Sequence, residues 1–108
     1  MPKEIDVQQL PEHLKNGQTV HLLDVRQPWE NEIAALPESL LIPLDQLMVR
    51  SSEMAHLKED LLVVYCHHGI RSLSAAALLE HLGFQNVCSL GGGIDAWSLM
   101  IDPTVPRY

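Results

Sequence analysis

The segment that most limits the folds open to this chain lies past its middle. Leu61-Leu62-Val63-Val64-Tyr65 is an uninterrupted apolar run that halts at Cys66, and a helical pattern begins at Ser72 after the short stretch His67-His68-Gly69-Ile70-Arg71. A strand with one wet face alternates apolar and polar residues, whereas an unbroken run suits a strand covered on both faces, as in a parallel sheet. Such a short run falls far below the ~20 residues that cross a bilayer. Downstream, Ala75, Leu78, Leu79 and Leu82 recur at i, i+3, i+4 and i+7, with Gly83 placed to end the helix in the left-handed conformation. A buried strand feeding a helix through a short loop predicts a crossover unit of an α/β fold.

The flanking segments continue the alternation. Residues 3–7 read as a short edge strand or a lead-in, followed by a helix that stops near Asn16-Gly17. The helix start stays open between an Asp6/Gln9 capping box and Pro11 at the first helical position. Residues 19–23 read as a strand ending at Asp24, 29–35 as a short helix, and 40–42 as a short buried strand between Pro37 and Pro43. Residues 44–50 read as helix, with Leu44, Leu47 and Met48 inward, and 52–58 as a further helical turn. Then come a strand over 87–90, a turn at Gly91-Gly92-Gly93, and a short helix over 94–99 carrying Trp97 as a core residue. The expectation is one domain over 1–108, with a core of about 3–100, an extended tail, and a mostly parallel central sheet with helices on both faces. At 108 residues and 46% apolar, the chain has the means to bury a core unaided.

Cys66 is the candidate nucleophile. It stands at the carboxyl end of a buried strand, where open α/β sheets bind ligands. The loop amides and the following helix N-terminus supply unpaired N–H groups and a positive dipole end, which favour a thiolate there. Arg71 adds a fixed cation able to hold an oxyanion with two hydrogen bonds. His67, His68, Gly69, Ile70, Arg71 and Ser72 are therefore the candidate substrate-binding residues, with Ser72 supporting the loop from the first helical turn. His67 and His68 are adjacent, so only one of them can point into the cradle; each reads equally as a ligand contact or as a solvent-facing side chain. Asp24 and Arg26 read as a supporting pair, with Glu32 a second candidate partner. Cys88, inside an apolar strand, reads as a buried structural thiol.

The spacing Cys-x4-Arg is one residue shorter than the Cys-x5-Arg of cysteine-dependent phosphatases. A tighter ring of amides suits a bound sulfur atom or a small sulfur oxyanion better than a phosphate ester. At this point the chain resembles a known family. Cys66-His67-His68-Gly69-Ile70-Arg71-Ser72 is similar to the active loop of single-domain rhodaneses, the thiosulfate sulfurtransferases. Leu23-Asp24-Val25-Arg26, with Glu32 following, resembles that family's early Asp-x-Arg segment. Residues 83–97, through Gly91-Gly92-Gly93-Ile94-Asp95-Ala96-Trp97, resemble its closing Gly-Gly…Trp segment. One segment departs: Ala35 and Glu38 stand where the family often has His and Gly before the short strand.

The resemblance implies a two-step transfer of sulfane sulfur. Cys66 takes the outer sulfur of a small anionic donor such as thiosulfate, or of a persulfide, and holds it as a persulfide on the loop amides. A second nucleophile then removes it: cyanide in an assay, or a low-molecular-weight thiol or protein dithiol acceptor. No cofactor is implied. The alternatives are a non-catalytic or redox-sensing binding module and, further off, a cysteine phosphatase or arsenate reductase.

Several classes are disfavoured. Seven basic residues against fourteen acidic ones leave a net charge of −7, which opposes nucleic-acid and anionic-membrane partners. It does not exclude an anionic substrate, because the cradle is local and distant carboxylates are screened beyond ~8–10 Å. Two cysteines 22 positions apart make neither a disulfide framework nor a zinc pair. The contiguous Cys66-His67-His68 triplet chelates poorly, so no metal is expected. No basic flank and apolar core of a secretory signal is visible, so the expected compartment is cytoplasmic.

Overall fold

The computed structural model of the protein describes residues 3–15 and 19–108. The helix stop expected at Asn16-Gly17 lies outside the described residues. The strands are β1 (Lys3–Asp6), β2 (Val20–Asp24), β3 (Leu40–Leu41), β4 (Leu61–Tyr65) and β5 (Val87–Gly91). The helices are α1 (Leu10–Lys15), α2 (Pro28–Ile33), α3 (Leu47–Arg50), α4 (Ile70–His81) and α5 (Gly93–Met100). Two 3-10 stretches, Leu44–Gln46 and Ser51–Leu57, flank α3. The strands form one sheet in the order β1-β5-β4-β2-β3, and each pairing is parallel. This is the α/β architecture that the apolar run predicts.

β4 is central, and all five of its residues are buried. Its side chains alternate between two cores. Leu62, Val64 and Cys66 pack with Ala75, Ala76 and Leu79 of α4, together with Leu47, Met54 and Leu57. Leu61, Val63 and Tyr65 pack on the other face with Leu10 of α1 and with Ile94 and Trp97 of α5. Covering on both faces explains why the run contains no polar residue.

Both candidate signals at the start of α1 are used. The Asp6 amide donates to Gln9 Oε1 at 2.9 Å, and the Gln9 amide donates to Asp6 Oδ1 at 3.1 Å. This box closes the turn before the helix, and Pro11 falls in the first helical turn, where a missing N–H costs nothing. Two expectations need correction. Leu40 is 42% exposed, because β3 pairs only with β2 and lies at the sheet edge. Met48 is 65% exposed, because the 3-10 turn over 44–46 rotates the next residues away from ideal helical phase.

The loop from Ala34 to Ser39 is tied from the sheet side. Tyr65 Oη accepts a hydrogen bond from the Leu36 amide at 3.1 Å and lies 2.8 Å from Ser39 Oγ. Glu38 adopts φ 61°, in the left-handed region. The turn that a glycine would serve is therefore built here with a side chain. Segment 101–108 contains no helix or strand and folds back over the molecule, burying Val105 and taking a 2.6 Å hydrogen bond from Ser98 Oγ to the Val105 carbonyl. Among the described residues no helix is long and apolar enough to cross a membrane.

Candidate active site

Cys66 extends the alternation of β4 by one residue, so its side chain falls on the α4 face and is 2% exposed. The loop then turns sharply. Gly69, at φ 103°, caps α4 from a conformation that L side chains rarely adopt. A Cβ there would also crowd the Gly92 amide at 3.2 Å. The turn aims the Gly69 amide at Cys66 Sγ, at 3.0 Å, and the Ser72 amide approaches the same sulfur at 3.4 Å. The Cys66 thiol in turn lies 3.5 Å from Ser72 Oγ. Ser72 is fully buried; its hydroxyl reaches the Gly69 carbonyl at 3.2 Å and Ser89 Oγ at 2.7 Å. The sulfur atom thus sits at a helix N-terminus, against two backbone donors.

The other flank of the loop is held by α5. The Ile94 amide donates to the Cys66 carbonyl at 2.9 Å, and the Asp95 amide donates to the His67 carbonyl at 3.1 Å. This approach requires Gly93, since a Cβ there would lie 2.5 Å from the Cys66 carbonyl oxygen. The Gly91-Gly92-Gly93 turn therefore lets backbone meet backbone beneath Cys66.

The remaining candidates separate clearly. Arg71 Nη1 and Nη2 pair with the two Glu30 oxygens at 2.6 and 2.9 Å. Ile70 is 78% exposed and faces solvent. The His67 ring is sandwiched, 3.9 Å from the His68 ring and 4.0 Å from the Tyr108 ring. Its Nε2 is buried without a hydrogen-bond partner. Burial, then the neighbouring His68, pushes the His67 pKa down, so this ring is neutral at physiological pH. The His68 side chain is 61% exposed, with Nε2 3.7 Å from Asp95. His67, His68 and Asp95 each place one ligand atom within 4.8 Å of the others. Asp95 is already held by Arg107 Nε at 2.9 Å.

Asp24 and Arg26 form a fully buried pair. Arg26 Nε and Nη2 donate to the two Asp24 oxygens at 2.9 and 2.7 Å, and Nη2 also reaches the Ala34 carbonyl at 2.6 Å. Glu32, the other candidate partner, is exposed, whereas Arg26 is fully buried. Two residues earlier on the same short helix, Glu30 turns inward instead, because i and i+2 point to different sides of a helix. Cys88 is buried in the core on the opposite face of the sheet from Cys66. Burial pushes its thiol pKa up, which suits a structural residue.

Two residues of the site, Glu30 and Tyr108, fall outside the motifs read from the sequence, although Glu30 stands three residues after Gln27 in the spacing of a helix-start capping box. Glu30 Oε1 accepts the Gln27 amide at 3.1 Å as well as Arg71, and Oε2 accepts the Tyr108 hydroxyl at 2.6 Å. Tyr108 Oη also accepts from Arg26 Nη1 at 2.9 Å. The Arg71 hydrogen bonds hold the Glu30 carboxyl down at about 2 against its burial. Burial, then the bond to Glu30, pushes Tyr108 up to about 12, so it remains a hydroxyl donor. The ordered chain Asp24–Arg26–Tyr108–Glu30–Arg71 runs from the end of β2 to the start of α4.

A parallel sheet whose central strand delivers a cysteine to a helix N-terminus defines a class of α/β proteins with a sulfur- or anion-binding loop. Comparison narrows the class: the chain belongs to the rhodanese-like domain family, whose family model matches residues 6–100. A sulfurtransferase of Allochromatium vinosum is 37% identical over 98 residues, spanning 91% of this chain and 90% of that protein. The thiosulfate sulfurtransferase GlpE of Vibrio cholerae is 38% identical over 77 residues, 71% of each chain. The crystal structure of a rhodanese-related protein from Thermoplasma volcanium superposes with a TM-score of 0.83 at 29% identity, covering 98% of this chain and 99% of that one. Several other curated relatives are longer, and the chain spans 37% or less of their length. Sulfur transfer is the chemistry for which these relatives are named.

Proposed function

We propose that the protein is a sulfurtransferase that carries sulfane sulfur on Cys66. The observation that carries this reading is the position of Cys66 Sγ, buried at the end of β4 with the Gly69 and Ser72 amides directed at it. Backbone donors at that distance stabilise negative charge on sulfur, first on the thiolate and then on the terminal atom of a persulfide. In the first step the Cys66 thiolate attacks the outer sulfur of thiosulfate. The new S–S bond forms as the donor's S–S bond breaks, and sulfite leaves with the electron pair. A persulfide donor reacts in the same way, with a thiolate leaving. In the second step a thiolate or cyanide attacks the outer sulfur of the Cys66 persulfide, and the Cys66 thiolate leaves. Both steps balance without an external oxidant or reductant.

The relatives support the reading, since one bears the name thiosulfate sulfurtransferase. The short loop favours sulfur over a phosphate ester. The test is the intact mass after incubation with thiosulfate, followed by cyanide. The protein should gain one sulfur atom and lose it to cyanide as thiocyanate, and Cys66→Ser should gain none. A wild-type protein that takes up no sulfur from thiosulfate or a low-molecular-weight persulfide, or a Cys66→Ser variant that loads as well as wild type, overturns the reading.

A further inference from the structure

The Arg71 cation is not available to a donor in the way that its place in the loop suggests. Its two terminal nitrogens face the Glu30 carboxylate, whose side chain is 5% exposed. Glu30 is pinned in turn by the Gln27 amide and the Tyr108 hydroxyl. Arg26, the next cation along the network, faces Asp24. Arg107, at the other flank, faces Asp95. Each arginine around the loop therefore stands opposite a carboxylate, and the neutral His67 adds no charge.

We propose that Glu30, positioned by Tyr108, sets the charge selectivity of the Cys66 site by neutralising Arg71, so that a carbon-bound persulfide is preferred over the thiosulfate dianion. The inference rests on the sulfurtransferase reading for its substrates, but the charge assignment itself does not. A dianion must compete with a fixed buried carboxylate for Arg71, so it draws little net attraction from that pair. An organic persulfide loses less, since its reacting end bears at most one charge. It also gains apolar contact, which thiosulfate cannot make. Tyr108 covers His67, Trp29 meets the Tyr108 ring edge-on at 6.0 Å and is 57% exposed, and Ile70 beside Arg71 is 78% exposed. Tyr108 acts through Glu30 and His67 and is a positioning residue; Glu30 acts through Arg71.

The experiment uses the full chain and two readouts. The first compares alkylation rates of Cys66 by iodoacetamide, which is neutral, and by iodoacetate, which is anionic, with peptide mapping to separate Cys66 from Cys88. This readout requires no sulfur transfer. The second measures KM and kcat for thiosulfate and for glutathione persulfide, with cyanide as acceptor. Glu30→Gln keeps an acceptor for Arg71 and removes the charge. It should shift the rate ratio toward iodoacetate by about tenfold, the scale of local charge focusing in a cleft. It should lower the thiosulfate KM by a similar factor and lower the ratio of the thiosulfate KM to the persulfide KM. Tyr108→Phe keeps the ring on His67 and loses the hydroxyl bond; its ratio should move the same way by about threefold. Tyr108→Ala should in addition raise the persulfide KM.

An unchanged iodoacetate-to-iodoacetamide ratio in folded Glu30→Gln overturns the proposal. If that variant does not fold, an unchanged ratio in Tyr108→Phe does so. A thiosulfate KM that stays put while the alkylation ratio shifts overturns the donor preference. If the ratio shifts but wild type loads no sulfur from either donor, the sulfurtransferase reading fails and the charge assignment stands.

Discussion

Arg71 and Glu30, 41 positions apart in the chain, meet through two hydrogen bonds of 2.6 and 2.9 Å. The pair joins α2 to the first turn of α4, so the loop carrying Cys66 is fixed at its far end. At its near end the loop is fixed by the Ile94 and Asp95 amides of α5. A cysteine held from two sides by different helices is positioned in advance for the chemistry proposed for it.

The pair should contribute to stability as well as to the site. Arg71→Ala leaves the Glu30 carboxylate buried without its main partner. Breaking a fully buried pair costs about 3–5 kcal/mol. Arg71 is 36% exposed, so solvent screening brings the expected loss to about 2 kcal/mol. Glu30→Gln in the Arg71→Ala background should recover part of this, with a coupling of about 1 kcal/mol in a double-mutant cycle read by urea unfolding. The thiosulfate kcat/KM of Arg71→Ala should fall by more than about tenfold, beyond what the unfolded fraction accounts for. Unchanged thiosulfate kinetics would mean that the Glu30 carboxylate, once freed of Arg71, does not act on the bound donor.

Acid should release the same contact. The Glu30 carboxyl lies at about 2 in the folded protein against an ordinary 4.5, held down first by Arg71. The folded state therefore binds fewer protons than the unfolded state between those values. The stabilisation from Glu30 is complete above about pH 4.5 and is lost as pH falls toward 2. Glu30→Gln has no proton to take up there. The stability gap between wild type and Glu30→Gln should narrow from about pH 6 to about pH 3, read by urea unfolding at each pH. A constant gap would mean that Glu30 is not ionised and paired as the geometry requires.

Gly93 should be the least replaceable glycine among the described residues. It has φ 62°, and a Cβ would strike the Cys66 and His67 carbonyls. Gly93→Ala should cost more than about 2 kcal/mol and sharply reduce sulfur loading of Cys66. Gly83 is a matched control, at φ 98° with only Lys58 Nζ within reach at 3.7 Å. Gly83→Ala should cost only the backbone strain, about 1 kcal/mol, and leave loading intact. Equal losses of loading in the two variants would count against the backbone-approach account.

Glu38 offers a stabilising change away from the cysteine. Its φ of 61° costs a side chain about 1–2 kcal/mol. Glycine there removes the strain but adds freedom to the unfolded chain, offsetting about half of the gain. Glu38→Gly should stabilise by about 0.5 kcal/mol, a rise of about 2–4 °C in Tm by calorimetry. A drop in Tm would show that the Glu38 side chain contributes more than its strain.

Much of this protein is written in local pattern. The run at 61–65 specifies a strand buried on both faces, since such burial removes polar residues from both sides of the pleat. The Cys66 position, the short loop after it and the α4 stripe follow from neighbours in sequence. Asp24 and Arg26 are two apart, so their pairing is also legible. Gly91-Gly92-Gly93 signals a close backbone approach, though not the carbonyls it meets.

Tertiary structure alone decided the charge state of the site. A carboxylate leaves no periodic trace, and Glu30 and Glu32 look alike until the short helix turns one inward and the other to solvent. Nothing near Arg71 in sequence announces a partner 41 positions earlier. Tyr108 lies in a segment without helix or strand, 78 positions from Glu30 and 82 from Arg26, and only the folding back of residues 101–108 brings its ring onto His67. Local sequence determined where Cys66 stands, because strand and helix periodicity act over a few residues. Long-range packing decided which charges surround it, because ion pairs and ring stacks depend on position in space.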